Sequence, residues 1–191
     1  MHSASLAQGF DVREYETDRK LAIEKMPAIA EGLAALLVER MDNTIFGSRF
    51  LIAGYGVVGR AVSKTLGVLG GQITVCARGD VARAEAQVMG FVSSRISELE
   101  SELARTDVFI SAVPSPVLGS ELLHRLANRP LLIDLASPPG SVDSTAASKL
   151  GFDFIWARGL GGTSPKSVGA LEWETIREII LTRENRASRA E

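Results

Sequence analysis

The stretch of sequence that decides the fold is Phe50-Leu-Ile-Ala-Gly54-Tyr55-Gly56-Val57-Val58-Gly59-Arg60. It starts with four apolar residues, continues with the spacing G-x-G-x-x-G, and leads into a helical pattern over 57–69. That spacing is informative only between a buried strand and the start of a helix, which is its context here. We therefore predict a strand over 50–53, a tight turn, and a helix that starts within the motif.

Each glycine of the motif has a separate expected task. Gly54 allows the tight turn, Gly56 lacks the Cβ that would collide with a pyrophosphate, and Gly59 lets the helix lie close to the sheet. Free N–H groups at the helix N-terminus favour an anion there. Glycines used only for turning are the alternative. The motif thus predicts a dinucleotide site that includes Gly54, Tyr55, Gly56, Val57, Val58 and Gly59.

The rest of the chain alternates between two patterns. Apolar, β-branched runs predict buried strands at 50–53, 72–77, 108–113, 131–135 and 154–157. Helical patterns lie between or after them at 57–69, 81–89, 96–103, 118–126 and 143–150. Strands that alternate with helices in this way are typical of α/β folds with right-handed crossovers. We predict a doubly wound parallel sheet, a Rossmann fold, as one dinucleotide-binding domain over 44–164.

Two longer helical patterns flank this unit. The N-terminal segment 1–43 contains a helix expected to start at Pro27, and the segment 165–191 contains a helix that starts at Ser164-Pro165 and a polar tail over 182–191. Both helices carry apolar residues. They either cover the sheet or support a second domain or subunit. The apolar residues are Ile29, Leu33, Leu36 and Leu37 in the first helix and Val168, Leu171, Ile176 and Ile180 in the last.

Composition excludes several classes of protein. The chain has 191 residues, 46% of them hydrophobic, with 21 basic and 23 acidic side chains, which is typical of one globular domain. A formal net charge of −2 provides no basic surface, so we expect neither nucleic acid nor a membrane as a partner. Residues 1–13 lack the features of a signal peptide, and no run is apolar enough to span a membrane. We expect a cytoplasmic protein.

Cysteine and histidine are too few for the usual metal sites. The chain has one cysteine, Cys76, and two histidines, His2 and His124, far apart in sequence. These positions match no zinc-ligand spacing, so we expect no metal. Cys76 lies in an apolar strand and is expected in the core. His124 is expected to be a partly exposed helical residue.

The end of the second predicted strand bears on the choice of cofactor. Ala77 and Arg78 stand where an acidic residue would bind the ribose hydroxyls of NAD. An arginine there offers a planar cation to the 2′-phosphate of NADP. Asp80 follows two residues later and could still reach a ribose, so NAD stays possible. We predict NADP(H), bound in part by Ala77 and Arg78.

Ligands of such a sheet lie outside the carboxyl ends of the strands. The loop after 108–113 contains Val113, Pro114 and Ser115, which we expect near the cofactor. The next loops contain Asp134, Ser137 and Lys166. Asp134 is either part of the site or a structural acceptor for backbone N–H groups. Lys166 lies in the first turn of a helix, where the dipole disfavours a cation, and this favours a role in binding.

Several motifs resemble those of the larger component of dipicolinate synthases. They are Gly47-Ser48 with the glycine motif, Ala77-Arg78, Val113-Pro114-Ser115, Ile133-Asp-Leu-Ala-Ser137, and Gly159-Leu-Gly with Pro165-Lys166, and the resemblance covers about residues 22 to 180. It implies an NAD(P)-dependent oxidoreductase that forms pyridine-2,6-dicarboxylate and works with a second, flavoprotein-like component. The family also has an N-terminal domain of roughly a hundred residues, near the smallest domain size. We expect this chain to lack that domain.

These observations together predict an NADP(H)-dependent oxidoreductase that transfers a hydride to or from a small carboxylate-bearing imine, enamine or carbonyl compound. Lys166 would bind the carboxylate or polarise the substrate, Ser115 and Ser137 would donate hydrogen bonds, and Asp134 or Asp143 would orient these groups. The alternative is a non-catalytic NAD(P)-binding subunit that needs a second chain to complete its site.

A lone Rossmann domain leaves the reactive end of its cofactor on an open surface. The apolar residues of the two flanking helices, among them Trp173, cannot all face the sheet. We therefore predict a homodimer or a partner subunit, with a stable monomer as the alternative.

Overall fold

The computed structural model describes residues 14–187. Expectations for residues 1–13 and 188–191 lie outside the described residues. The strands are β1 (Arg49–Ala53), β2 (Gln72–Ala77), β3 (Val92–Arg95), β4 (Val108–Ser111), β5 (Leu131–Asp134) and β6 (Phe154–Trp156). The α-helices are α1 (Arg19–Glu24), α2 (Met26–Arg40), α3 (Val57–Val68), α4 (Asp80–Val88), α5 (Leu99–Leu103), α6 (Ser120–Arg125), α7 (Ser144–Lys149) and α8 (Pro165–Ala187), with 3₁₀ turns at Ile96–Glu98 and Leu160–Thr163.

The six strands form one parallel sheet in the order β3-β2-β1-β4-β5-β6. The chain starts in the middle of the sheet, winds outward to β3, and then crosses back to continue through β4 to β6. This confirms the doubly wound, Rossmann-type fold. The order of strands reverses between β1 and β4, where Ala53 is paired with Ser111. Such a switch point is where ligands of open α/β sheets bind.

The central strands are buried on both faces. In β1, Phe50 and Ile52 belong to the core cluster under α2 and α3, whereas Leu51 and Ala53 belong to the cluster on the opposite face, under α5 to α7. Alternate residues of a strand point to opposite faces, so a strand between two layers of helices must be apolar throughout. This requirement explains why the apolar runs identified the central strands.

Two elements were not predicted. The strand β3 has the sequence Val92-Ser-Ser-Arg95 and pairs only with β2, so as an edge strand it does not need an apolar run. The short helix α1 precedes α2 and buries only Leu21. The other predicted elements are present, with ends that shift by a few residues; β4, for example, ends at Ser111 rather than at 113.

The first flanking helix covers the sheet of its own chain. It begins at Met26, with Pro27 in its first turn, and the side chains of Leu33 and Leu37 are fully buried in the core. Ile29 and Leu36 are half-buried. This corrects the idea that the α2 stripe serves a second subunit, because its central residues are already used inside the monomer.

The last helix is longer and less covered than α2. Val168 is buried, but Trp173 is 60% exposed and Ile180 is 46% exposed. The helix continues to Ala187, so the predicted tail over 182–191 is wrong for 182–187, which are helical. Within residues 14–187 no helix is both long and apolar enough to cross a membrane.

Leu33→Ala tests the position of α2. We expect it to lower the free energy of unfolding by about 2–5 kcal/mol, because it leaves a cavity in a close-packed core. Val38→Ala is the matched control, since Val38 lies in the same helix and is 72% exposed. Denaturant unfolding should separate the two variants. Equal stability of Leu33→Ala and the control would contradict the burial of this face.

Candidate functional site

The glycine turn after β1 is built by two close contacts. Gly54 has φ +96°, a left-handed conformation that glycine adopts freely, and a Cβ there would lie 2.5 Å from Val113 Cγ1. A Cβ at Gly59 would lie 2.1 Å from the carbonyl oxygen of Gly54. These two glycines therefore allow the helix α3 and the loop after β4 to approach the end of β1.

The third glycine of the turn faces open space. A Cβ built on Gly56 meets no atom within 4 Å. Gly56 is the N-cap of α3, and no side chain caps that helix end. The first-turn N–H groups of an uncapped helix have no intrahelical acceptors, so they can donate to an anion. The three glycines thus have the local geometry that the sequence predicted for each of them.

The other residues of the turn differ in their surroundings. The side chain of Tyr55 is buried in the core, and this burial raises the pKa of its phenol. The guanidinium of Arg60 lies 5.6 Å from the Tyr55 ring centroid, and its Nε donates to the Tyr55 carbonyl oxygen over 3.1 Å. Val57 and Val58 are half-buried in the first turn of α3. Only the backbone of Tyr55 can therefore face a ligand.

Three arginines lie around the end of β2 or the start of α3, and two of them have partners. Arg83 Nη1 donates to the carbonyl oxygens of Ala77 and Arg78, each over 2.8 Å, and its Nη2 pairs with Asp80. Arg60 pairs with Glu85. Arg78 is exposed, and no ion pair of the described residues includes it. Its guanidinium is therefore open to a ligand at the end of β2, while Asp80 already has a cationic partner.

The loop after β4 lies beside the glycine turn. The N–H of Ala112 donates to the carbonyl oxygen of Ala53 over 2.9 Å, and the next residue, Val113, is the one that approaches Gly54. Pro114 is exposed and Ser115 is half-buried. The structure thus brings Val113 against the glycine turn and places Pro114 and Ser115 just after it.

The carboxylate of Asp134 organises the loop after β5. Its Oδ1 accepts the N–H of Ala136 over 2.9 Å, and its Oδ2 accepts the N–H groups of Ser141 and Val142 over 2.6 and 3.2 Å. The hydroxyl of Ser141 also donates to Oδ2. Asp134 is 1% exposed. Of the two alternatives for this residue, the geometry favours the structural acceptor, which acts through the loop that carries Ser137.

The remaining predicted site residues are exposed and separate. Ser137 is exposed ahead of the cis peptide bond Pro138–Pro139, and Lys166 is exposed in the first turn of α8. In the described part of the chain no hydrogen bond or ion pair joins Lys166 to Ser115, Ser137 or Asp134. Asp143, proposed as an orienting residue, caps α7 by accepting the N–H of Ala146 over 2.9 Å.

Two residues outside the predicted set have notable surroundings. Lys25 and Glu172 form an ion pair of 2.6 Å that lines a cavity near the ends of β5 and β6. They are 147 positions apart in the chain, so no local pattern could join them. Cys76 is fully buried, burial raises the pKa of its thiol, and it is a core residue as predicted. His124 is an exposed residue of α6, close to the predicted partial exposure.

Metal binding finds no support in the geometry. Among residues 14–187, no group of three or more histidine, cysteine, aspartate or glutamate side chains is placed to hold a metal ion.

Comparison with known proteins shows homology to the larger component of dipicolinate synthase from Bacillus subtilis. The two sequences are 32% identical over 170 residues, which cover 88% of this chain and 57% of that protein. The crystal structure of the same B. subtilis synthase component matches with a TM-score of 0.90 at 26% identity, over 97% of this chain and 62% of that chain. The resemblance predicted from the motifs is confirmed. The chain spans less than two thirds of the length of these relatives.

A more distant similarity covers part of the same domain. Glutamyl-tRNA reductase of Methanopyrus kandleri is 34% identical over 122 residues, which cover 58% of this chain and 30% of that protein. No protein-family model matches the chain. The chain is thus homologous to a synthase component over nearly all its length and similar to a reductase over more than half of it.

Gly59→Ala and Gly56→Ala test the two kinds of glycine. We expect Gly59→Ala to lower the free energy of unfolding by at least about 1–3 kcal/mol, because its Cβ would collide with the backbone of Gly54. Gly56→Ala should change it by less than about 1 kcal/mol, since that Cβ meets open space. Thermal or urea unfolding would show the difference. A Gly59→Ala protein as stable as Gly56→Ala would contradict the close contact.

Proposed function

We propose that this dipicolinate synthase homologue is an NADP(H)-dependent oxidoreductase. The single observation that supports this best is the open position at Gly56, directly at the uncapped N-terminus of α3 and at the switch point between β1 and β4. A pyrophosphate needs both the space and the free N–H groups. The backbone from Gly54 to Gly59 would hold it there.

The preference for NADP(H) over NAD(H) rests on Arg78. It is the guanidinium at the end of β2 that no ion pair of the described residues neutralises, so it can bind a 2′-phosphate. Asp80, which would favour the ribose of NAD, pairs instead with Arg83. Ala77 would contribute its backbone at the same strand end. The pairing of Asp80 therefore weakens the argument for NAD that the sequence alone left open.

The proposed reaction is hydride transfer to or from a small imine, enamine or carbonyl compound that carries a carboxylate. When bound, the nicotinamide supplies the hydride chemistry. Val113, Pro114 and Ser115 would lie along the cofactor, because their loop contacts the glycine turn. Ser115 and Ser137 would donate hydrogen bonds to the substrate, and Lys166 would bind its carboxylate or polarise it. Asp134 would act indirectly, by holding the loop that carries Ser137.

A second candidate is an NAD(P)-binding subunit that reacts only with a partner chain or as a homodimer. The exposed apolar residues of the flanking helices favour it, since Ile23, Trp173 and Ile180 are 50%, 60% and 46% exposed. Light scattering and turnover on the same sample distinguish the two candidates. A monomer that reduces substrate at enzymatic rates supports the self-sufficient enzyme, whereas cofactor binding without turnover supports the second candidate.

Arg78→Asp tests the cofactor preference. The wild-type protein should bind NADPH more tightly than NADH, and the variant should lose or reverse a preference of about 1–3 kcal/mol, the size of a charge-assisted contact. Arg40→Asp is the matched control, because Arg40 is exposed in the last turn of α2. Calorimetric titration of both cofactors measures the preference.

The same titration includes Gly56→Val, which should not bind either cofactor because its side chain occupies the open position. Equal affinities of the wild-type protein for NADPH and NADH would refute the role of Arg78. Unchanged binding by a folded Gly56→Val variant would refute the proposed phosphate site itself.

A further inference from the structure

A cavity of about 500 Å³ lies at the carboxyl edge of the sheet, on the side away from Arg78 in the order of strands. We call it the Lys25 cavity. Its volume is within the range of about 300–1,000 Å³ that is usual for small-molecule sites. Its walls include Leu135 and Ala157, which directly follow β5 and β6, and Val58 in the first turn of α3. Through Val58 it adjoins the helix end at which we place the pyrophosphate.

The walls of the cavity are mostly apolar or backbone. Besides Leu135, Ala157 and Val58, they contain Ile29, Leu160 and Val168 and four glycines. The helix α2 approaches the 3₁₀ turn closely, since a Cβ on Gly32 would lie 2.8 Å from the carbonyl oxygen of Leu160. A ligand in this cavity would therefore leave most of its contact with water, and any charge in the wall would have a large effect on binding.

Lys25 and Glu172 are the two ionisable residues among those that line the cavity. Lys25 Nζ lies 2.6 Å from Glu172 Oε1, and the two side chains are only 19% and 27% exposed. An ammonium group has three donors, and Glu172 accepts one of them. The other two donors have no partner among the described hydrogen bonds, so the ammonium can still donate to a ligand in the cavity.

The position of Lys25 is fixed by the fold. Lys25 ends α1 and starts α2, and its N–H donates to the carbonyl oxygen of Leu21 over 3.0 Å. Glu172 approaches from α8, whose exposed Lys166 is not among the residues that line the cavity. The ammonium that faces this end of the sheet is therefore that of Lys25.

We propose that the Lys25 cavity binds a carboxylate of the small substrate, with the ammonium of Lys25 as the contacting group and Glu172 as a positioning residue. This assignment rests on the proposed function, because it takes the cavity as the substrate end of the dinucleotide site. Glu172 holds the ammonium over the cavity when no ligand is bound. The ligand carboxylate then takes one or both of the remaining donors.

An ion pair that only joined α1 and α2 to α8 is the competing explanation, and a set of variants separates the two. Lys25→Met removes the ammonium. The double variant Lys25→Met with Glu172→Met replaces the pair by apolar side chains, which keeps the helices packed without leaving a lone buried charge. Glu172→Gln removes the partner and keeps the ammonium. Lys149→Met is the control, because Lys149 is an exposed lysine in the last turn of α7.

The probe is dipicolinate, with pyridine as its analogue without carboxylates. Calorimetry with the full 191-residue chain measures dipicolinate binding with and without saturating NADPH, and thermal unfolding reports the stability of each variant. We expect the wild-type, Glu172→Gln and Lys149→Met proteins to bind dipicolinate. Lys25→Met and the double variant should bind it at least about tenfold more weakly, the loss expected for one charge-assisted hydrogen bond. Pyridine should not bind.

The remaining outcomes overturn the inference. It fails if the folded double variant binds dipicolinate as tightly as the wild-type protein, or if the wild-type protein binds none. It also fails if Glu172→Gln loses binding as fully as Lys25→Met, because the ammonium alone would then be insufficient. NADPH titration of the same samples tests the proposed function separately. Lys25-dependent binding of dipicolinate without NADPH binding would refute the cofactor proposal and leave the carboxylate site intact.

Discussion

The contact between Gly59 and the carbonyl oxygen of Gly54 is the constraint on which the site depends. A Cβ at Gly59 would lie only 2.1 Å from that oxygen, so no other residue type allows α3 to start this close to β1. The contact places the uncapped N-terminus of α3 directly at the switch point between β1 and β4. The left-handed conformation of Gly54 and the approach of Val113 belong to the same arrangement.

Most polar groups at this edge of the sheet are used within the protein. The carboxylate of Asp134 accepts four hydrogen bonds from its own loop, and Arg83 and Arg60 are paired with Asp80 and Glu85. The groups that can bind ligands are therefore few and lie at opposite ends of the cleft. The helix N-terminus and Arg78 suit the phosphates of a dinucleotide, whereas Lys25 suits a carboxylate at the other end.

The sequence was sufficient for the parts of the fold that local rules determine. Strands buried on both faces must be apolar throughout, and the glycine motif requires a strand before it and a helix after it, so β1, α3 and the parallel sheet could be predicted. The strand β3 could not, because an edge strand is paired on one side and tolerates Ser93 and Ser94. The pair of Lys25 and Glu172 joins distant parts of the chain, and Asp134 could be assigned to its loop only once its hydrogen bonds were known.

Amide hydrogen exchange with and without NADPH tests the central claim most directly, because it reports on the helix N-terminus itself. The account predicts that NADPH slows exchange in the segment 54–60 and in the contacting loop 112–116, while β3 and α7 are unchanged. Binding that leaves the amides of 54–60 unaffected and protects another region would contradict the claim that the N-terminus of α3 holds the dinucleotide.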